Sequence, residues 1–128
     1  MNQKINNERI SDKTFDNKFC FMNAKIDNSL LLNTNFGNAS FMNAVFNSSH
    51  FDNCKYLGSN SMNTKYNDCN FFRVSFIDSC LQNAVFTNCN LYEVDFSNSN
   101  LWNAKFINCT VNKFIINSKT QLPRNFEL

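Results

Sequence analysis

Large apolar residues recur along this chain every five positions. Starting at Phe21, the series runs through Ile26, Leu31, Phe36, Phe41, Phe46, Phe51, Tyr56, Tyr66, Phe71, Phe76, Leu81, Phe86, Leu91, Phe96, Leu101, Phe106 and Val111 to Ile116, with Ser61 as its one polar member. Two residues before each centre sits a small or β-branched residue, as at Ala24, Ser29, Thr34, Ala39, Cys54, Val74 and Cys109, and two residues after it a polar one, most often Asn. A period of five matches neither the 3.6 of a helix nor the 2 of a flat strand. A chain that turns every five residues does bury such a pattern, and four segments then close a square coil of twenty. The near-identical hexapeptides FMNAKI from Phe21, FMNAVF from Phe41, LQNAVF from Leu81 and LWNAKF from Leu101 are passages of the chain over one and the same corner. Coils stacked at a strand spacing of ~4.8 Å place the centre and the small residue before it inside, and the other positions outside. The predicted fold is therefore all-β, a parallel β-helix or solenoid of about five 20-residue coils over residues 19–118, with 1–18 and 119–128 as short terminal caps or tails.

With twenty successive units from Phe19 to Ser118, the sequence resembles the pentapeptide-repeat family, whose consensus is roughly Ala, Asp or Asn, Leu or Phe, and two variable residues. The resemblance implies a right-handed quadrilateral parallel β-helix. Two departures stand out: the position before the centre is often Lys, Val, Ser or Cys, and the position two after it favours Asn. Both fall on surface or corner positions, so the implied fold is unaffected.

Composition sharpens this picture at a few points. The chain has 128 residues, 43% of them hydrophobic, enough for one domain with a core. Only 2 Gly and 1 Pro are present, so the frequent turns fall to Asn, which tolerates the left-handed backbone best among residues with a Cβ. The formal charge is +2, and within residues 21–118 the cations Lys25, Lys55, Lys65, Arg73, Lys105 and Lys113 balance Asp27, Asp52, Asp68, Asp78, Glu93 and Asp95. A balanced solenoid argues against direct nucleic-acid binding. The N-terminal stretch lacks an apolar h-region and no apolar run approaches membrane-span length, so a cytoplasmic location without a membrane partner is expected.

Positions fix expectations for individual residues. Cys69, Cys89 and Cys109 stand twenty apart on the small inward position and should form a column of buried thiols. Parallel side chains one coil apart are too widely set for a disulfide, and three thiols in a line cannot surround a tetrahedral metal ion. Cys20 and Cys80 precede centres and should lie nearer the surface. Asn23, Asn43, Asn63, Asn83 and Asn103 form a corner column of left-handed turn residues with amides bonded from coil to coil. Ser61 marks an expected hole, kink or hydrated pocket. Phe19 and Phe114 are large residues at the two ends of the small series, where they should cover the open core, helped by Ile5 and Ile10 at one end and by Leu122, Phe126 and Leu128 at the other. The alternative for the C-terminal group Phe114, Ile115, Ile116, Leu122 and Phe126 is an end surface for a homodimer.

No catalytic or metal site and no cofactor is predicted. His50 is the single histidine and stands outward with no partner along the chain. What remains is surface. The column Met22, Met42, Met62, Gln82, Trp102 makes a candidate protein-binding strip, because Met adapts its shape and Trp anchors interfaces. Two faces on, the column reads Leu32, Asp52, Phe72, Tyr92, Asn112, and on the neighbouring face Lys25, Val45, Lys65, Val85, Lys105 makes a sparse basic line. The expected function is a non-catalytic scaffold that binds another protein through a flat face, and the sequence does not identify that protein. The family resemblance implies an alternative, a mimic of duplex DNA that binds and protects or inhibits DNA gyrase or another topoisomerase, but such a mimic needs a strongly negative surface that these coils lack.

Overall fold

A computed structural model describes residues 4–15, 20–124 and 126. Its secondary structure consists of strands and turns. In chain order the strands are β1 (Lys4–Asn6), β2 (Arg9–Ser11), β3 (Lys25–Asp27), β4 (Leu30–Leu32), β5 (Val45–Asn47), β6 (His50–Asp52), β7 (Lys65–Asn67), β8 (Asn70–Phe72), β9 (Val85–Thr87), β10 (Asn90–Asp95), β11 (Lys105–Ile107) and β12 (Thr110–Ile115). They form two parallel six-stranded sheets, β1-β3-β5-β7-β9-β11 and β2-β4-β6-β8-β10-β12. From β3 and β4 onward, neighbours in each sheet pair twenty residues apart, Ile26 with Phe46 and Tyr66 with Phe86 in the first, Leu31 with Phe51 and Phe71 with Leu91 in the second. The other two walls are held by single bridges, such as Asn35 to Lys55 and Ser40 to Asn60. Four walls and a twenty-residue pitch make the square solenoid expected from the pattern.

The corners show why Asn is so abundant. From Asn23 to Lys113, every position two after a centre has a positive φ, between 48° and 68°. At the corners after Phe21, Phe36, Phe41, Phe76, Leu81 and Leu101, the carbonyl of the centre accepts a bond from the N–H three residues on, as in Ala24 N–H to Phe21 at 2.9 Å. A left-handed residue at the third position of such a turn is the type II arrangement, for which Asn and Gly are suited. The Asn side chains then bond between coils: Asn103 Nδ2 donates to Asn83 Oδ1 at 2.7 Å, Asn108 to Asn88 at 2.7 Å and Asn53 to Asn33 at 2.9 Å.

Inside, the centres stack in columns with the spacing of the coils. Phe46, Tyr66, Phe86 and Phe106 lie face to face at 4.7 to 4.8 Å, and Phe51 covers Phe71 at 4.8 Å with planes 2° apart. Rings from neighbouring walls meet edge to face, as Phe71 and Phe86 do at 5.7 Å. Offset-stacked and edge-to-face contacts are both favourable geometries, so one core uses the two at once. The small inward positions complete it: Thr64 Oγ1 donates to the Phe41 carbonyl at 3.0 Å and Ser79 Oγ to that of Tyr56 at 2.6 Å, which satisfies hydroxyls that would otherwise be buried alone.

Both ends differ from the sequence expectation. Residues 4–15 extend the solenoid as a further coil: Ile5 pairs with Ile26 and Ile10 with Leu31, and Thr14 bridges to Asn35, all with an offset of twenty-one. The same five-residue spacing sets Ile5, Ile10 and Phe15, but one extra residue before Cys20 hid the match. The stack thus begins ahead of the boundary read at residue 19. Phe19 and Leu128 lie outside the described residues. At the other end Ile116, read as the last inward centre, is 41% exposed. The ring of Phe114 already fills the interior there, 4.7 Å from Phe96 and 5.6 Å from Phe106, and Phe126 covers both Phe106 and Phe114.

Of the hole, kink or hydrated pocket expected at Ser61, the structure shows no kink, since the chain makes no detour there. The Ser61 side chain is fully buried, and the bridges from Ser40 through Asn60 to Cys80 run on without a break. The Tyr66 hydroxyl reaches toward the small Ser61 side chain. Ser61 Oγ and Tyr66 OH approach one another without reaching hydrogen-bond geometry, and with Tyr56 OH they are buried without a partner. Ser61→Leu, which the sequence alone marks as a cavity-filling gain, is therefore expected to cost about 1–3 kcal/mol by overpacking. Urea unfolding would check this, and the loss should shrink when Tyr56→Phe and Tyr66→Phe have removed the two hydroxyls.

Candidate functional site

The strip read as a protein-binding face lies where the register puts it. Met22, Met42, Met62, Gln82 and Trp102 each follow an inward centre, so they project from one wall in a straight line. Trp102 is 55% exposed and Met22 38%, whereas Met42, Met62 and Gln82 are half-buried between their neighbours. Trp102 is held at its backbone, where its N–H donates to Asn100 Oδ1 at 2.9 Å, and Met62 N–H bonds Asn60 Oδ1 in the same way at 3.1 Å. A shallow groove beside Trp102, lined by Lys105, Pro123 and Arg124, joins the strip to the C-terminal segment.

The C-terminal group divides in two. Phe114, Ile115 and Phe126 are half-buried and belong to the cap, whereas Ile116 and Leu122, with Ile107, are exposed at the end of the stack.

The opposite wall carries chemistry that the sequence reading noted only as a column. Phe72 and Tyr92 project outward and stack at 4.7 Å with planes 8° apart, and the Arg73 guanidinium sits 4.6 Å from the Phe72 ring. Ion pairs Arg73–Asp52 at 3.4 Å and Lys113–Glu93 at 3.8 Å flank this stack.

Cys69, Cys89 and Cys109 form the expected thiol column, buried at Cys69 and Cys89 but only half-buried at Cys109, where the stack ends. Each donates to a backbone carbonyl of the preceding coil, Cys69 to Phe46 at 3.6 Å, Cys89 to Tyr66 at 3.3 Å and Cys109 to Phe86 at 3.3 Å. The Cys89 thiol beside Cys69 lowers the Cys69 pKa against the effect of burial, while Cys109 is pushed up by Cys89 and by burial. Cys20 is exposed and Cys80 half-buried, nearer the surface as expected. Among the described residues no group of three or more His, Cys, Asp and Glu side chains could hold a metal ion, and no helix is long and apolar enough to cross a membrane. His50 is half-buried on β6.

A family model described as pentapeptide repeats matches residues 69–106 in 8 copies. Those residues are pentapeptide repeats, and the stack around them has the pentapeptide-repeat fold. Beyond that segment the same coil register continues to both ends of the stack. Solved structures resemble it at low identity. A trypsin-treated form of QnrB1, described as a plasmid-mediated fluoroquinolone resistance protein, is similar with a TM-score of 0.58 and 17% identity, over 91% of this chain and 74% of that one. A pentapeptide repeat protein from the Arabidopsis thaliana thylakoid lumen is similar with a TM-score of 0.59 and 16% identity, over 70% of this chain and 66% of that one. At these identities the likeness speaks for the pentapeptide-repeat fold. No curated protein matches the chain in sequence.

Proposed function

We propose that this protein is a non-catalytic scaffold, working in a reducing cytoplasm, that binds another protein through the wall of Met22, Met42, Met62 and Trp102. The observation that carries this reading is the Trp102 side chain, 55% exposed at the end of a straight line of methionines on one wall. A fold of stacked short strands lends itself to flat recognition surfaces, and adaptable Met beside a Trp anchor supplies the contact chemistry. A second contact, an end-to-end homodimer over Ile116 and Leu122, is compatible with their exposure but leaves the wall as the principal surface.

The test is affinity capture from the native cytoplasm with the wild-type chain and with Met22→Asp, Trp102→Asp. Both residues are exposed, so the variant should keep its melting temperature and lose the captured protein. Equal capture by the two chains would refute the wall.

The likeness to QnrB1 gives the gyrase-directed mimic its support as a second reading. Charge weighs against it. The six acidic residues of positions 21–118 fall in six different columns, the first coil adds only Glu8 and Asp12, and Asp27, Asp52 and Glu93 are paired with Lys25, Arg73 and Lys113. No stripe of negative charge comparable to a phosphate backbone results. Supercoiling by a bacterial gyrase, with and without a quinolone, should therefore be unchanged by micromolar protein, and salt-sensitive protection would favour the mimic instead.

A further inference from the structure

The corner that follows Leu31, Phe51, Phe71, Leu91 and Val111 breaks the Asn rule in three successive coils. Its left-handed residues are Asn33 and Asn53, then Arg73, Glu93 and Lys113, at φ of 53°, 52° and 68°. Among the other described non-glycine residues with positive φ, all but Ser48 are Asn or Asp. A long side chain gains nothing locally in that conformation, and local rules are broken where a surface has a task. The residues before this corner are Asp52, Phe72, Tyr92 and Asn112, so the departure coincides with the outward aromatic stack. The strands change there too, because β10 and β12 run straight through the corner, pairing Val94 with Phe114 and Asp95 with Ile115.

Coil by coil, the charges on this strip alternate: Asp52, Arg73, Glu93, Lys113. We propose that the strip joins two copies of this chain side by side and antiparallel. A row of four alternating charges is its own electrostatic complement when reversed. A two-fold axis perpendicular to the solenoid, passing between Phe72 and Tyr92, sets Asp52 opposite Lys113 of the second copy and Arg73 opposite Glu93 of the second copy. The stacked rings then meet their counterparts at the axis. This is an isologous contact, in which each pairing occurs twice. Parallel pairing in register would oppose like charges at all four positions. Each cation already meets a carboxylate of its own chain, Arg73 that of Asp52 and Lys113 that of Glu93, but with side chains 56% and 66% exposed they can also meet a carboxylate of the second copy, and the adjoining outward positions His50, Asn70, Asn90 and Thr110 set no fixed charge against them.

The strip is narrow and only four coils long, so the pair is expected to be weak and to dissociate with salt, below the area of a tight dimer. It also leaves the Met and Trp wall free, since that wall lies on the opposite side. The dimer would carry two such walls facing away from each other, which gives bivalent avidity to any partner that is itself multivalent. The inference does not depend on that wall binding anything.

Sedimentation equilibrium of the full chain at ~0.05 M and ~0.5 M salt tests it. The expected result is a monomer–dimer equilibrium at low salt that moves to monomer at high salt. Arg73→Glu should weaken association at least about tenfold by placing Glu against Glu93 of the second copy, and adding Glu93→Arg should restore it, because the swapped strip is again complementary on reversal. Melting curves verify that each variant is folded, and the outer pair, Lys113→Glu alone and then with Asp52→Lys, gives the same pattern independently. A monomer at every concentration in low salt, or a dimer that neither single reversal weakens, overturns the proposal. A dimer indifferent to salt and to both reversals would belong to the C-terminal end, whose exposed residues Ile107, Ile116 and Leu122 are apolar.

Discussion

Phe86→Ala is expected to lower the stability of the solenoid by about 3–5 kcal/mol, the cost of truncating a fully buried aromatic side chain. Phe86 has no exposed surface and lies between two stacked rings, Tyr66 at 4.7 Å and Phe106 at 4.8 Å, with Phe71 edge-on at 5.7 Å. Its neighbours are fixed by the strand pairs of β7, β9 and β11, whose spacing is set by backbone hydrogen bonds. The coils above and below therefore cannot close on the gap, and the loss should fall at the upper end of that range. Lys65→Ala, on the outer side of the same sheet, should change stability by less than about 0.5 kcal/mol. Equilibrium urea unfolding of both variants decides the matter, and similar losses at the two positions would mean that the five-residue register is wrong.

That register was legible because it rests on repetition. Each coil meets its neighbours at equivalent positions, so a single assignment of Phe21 as inward fixed the burial of residues as far apart as Ala24 and Leu101. Features that occur once escaped it. The added coil at residues 4–15 carries the same spacing, but the offset of twenty-one between Ile10 and Leu31 placed it out of phase with a count in twenties. At Ser61 the column, read up and down to Phe41 and Leu81, shows the small side chain but not the buried hydroxyls of Tyr56 and Tyr66 that, like its own, lack a partner. The only two tyrosines among the centres stand five residues to either side of the only serine, and that was the available signal. The candidate surfaces were half legible. Columns follow from the register, but the stacking of Phe72 on Tyr92, the ion pairs that flank it and the left-handed backbone of Arg73 and Glu93 emerge only in three dimensions.

Alkaline pH should unfold this protein well before ordinary surface groups would. Burial pushes the Cys54 thiol from about 9 up to about 11, and it pushes the Tyr56 and Tyr66 phenols above their usual value near 10, for Tyr66 against the opposing effect of the nearby Ser61 hydroxyl. These groups are neutral when protonated, so the folded state holds their protons while the unfolded chain releases them. Between pH 9 and the raised values the unfolded state binds fewer protons, and stability falls as pH rises. The stabilisation is fully present below about pH 9 and is lost through the window above it, at about 1.4 kcal/mol per group per pH unit. By pH 11 the three groups together remove on the order of several kcal/mol, a large part of the ~5–15 kcal/mol typical of a domain. Urea midpoints measured under reducing conditions should be level up to about pH 8.5 and then drop steeply towards pH 11. Two variants divide the drop. Cys54→Ala should reduce the loss just above pH 9 without abolishing it, because the raised thiols of Cys89 and Cys109 titrate in the same window of the unfolded chain, while Tyr56→Phe with Tyr66→Phe should reduce the loss above about pH 10. A midpoint that stays level to pH 11 would show that these side chains reach water in the folded state, which would contradict a sealed interior at the coil of Phe51, Tyr56, Ser61 and Tyr66.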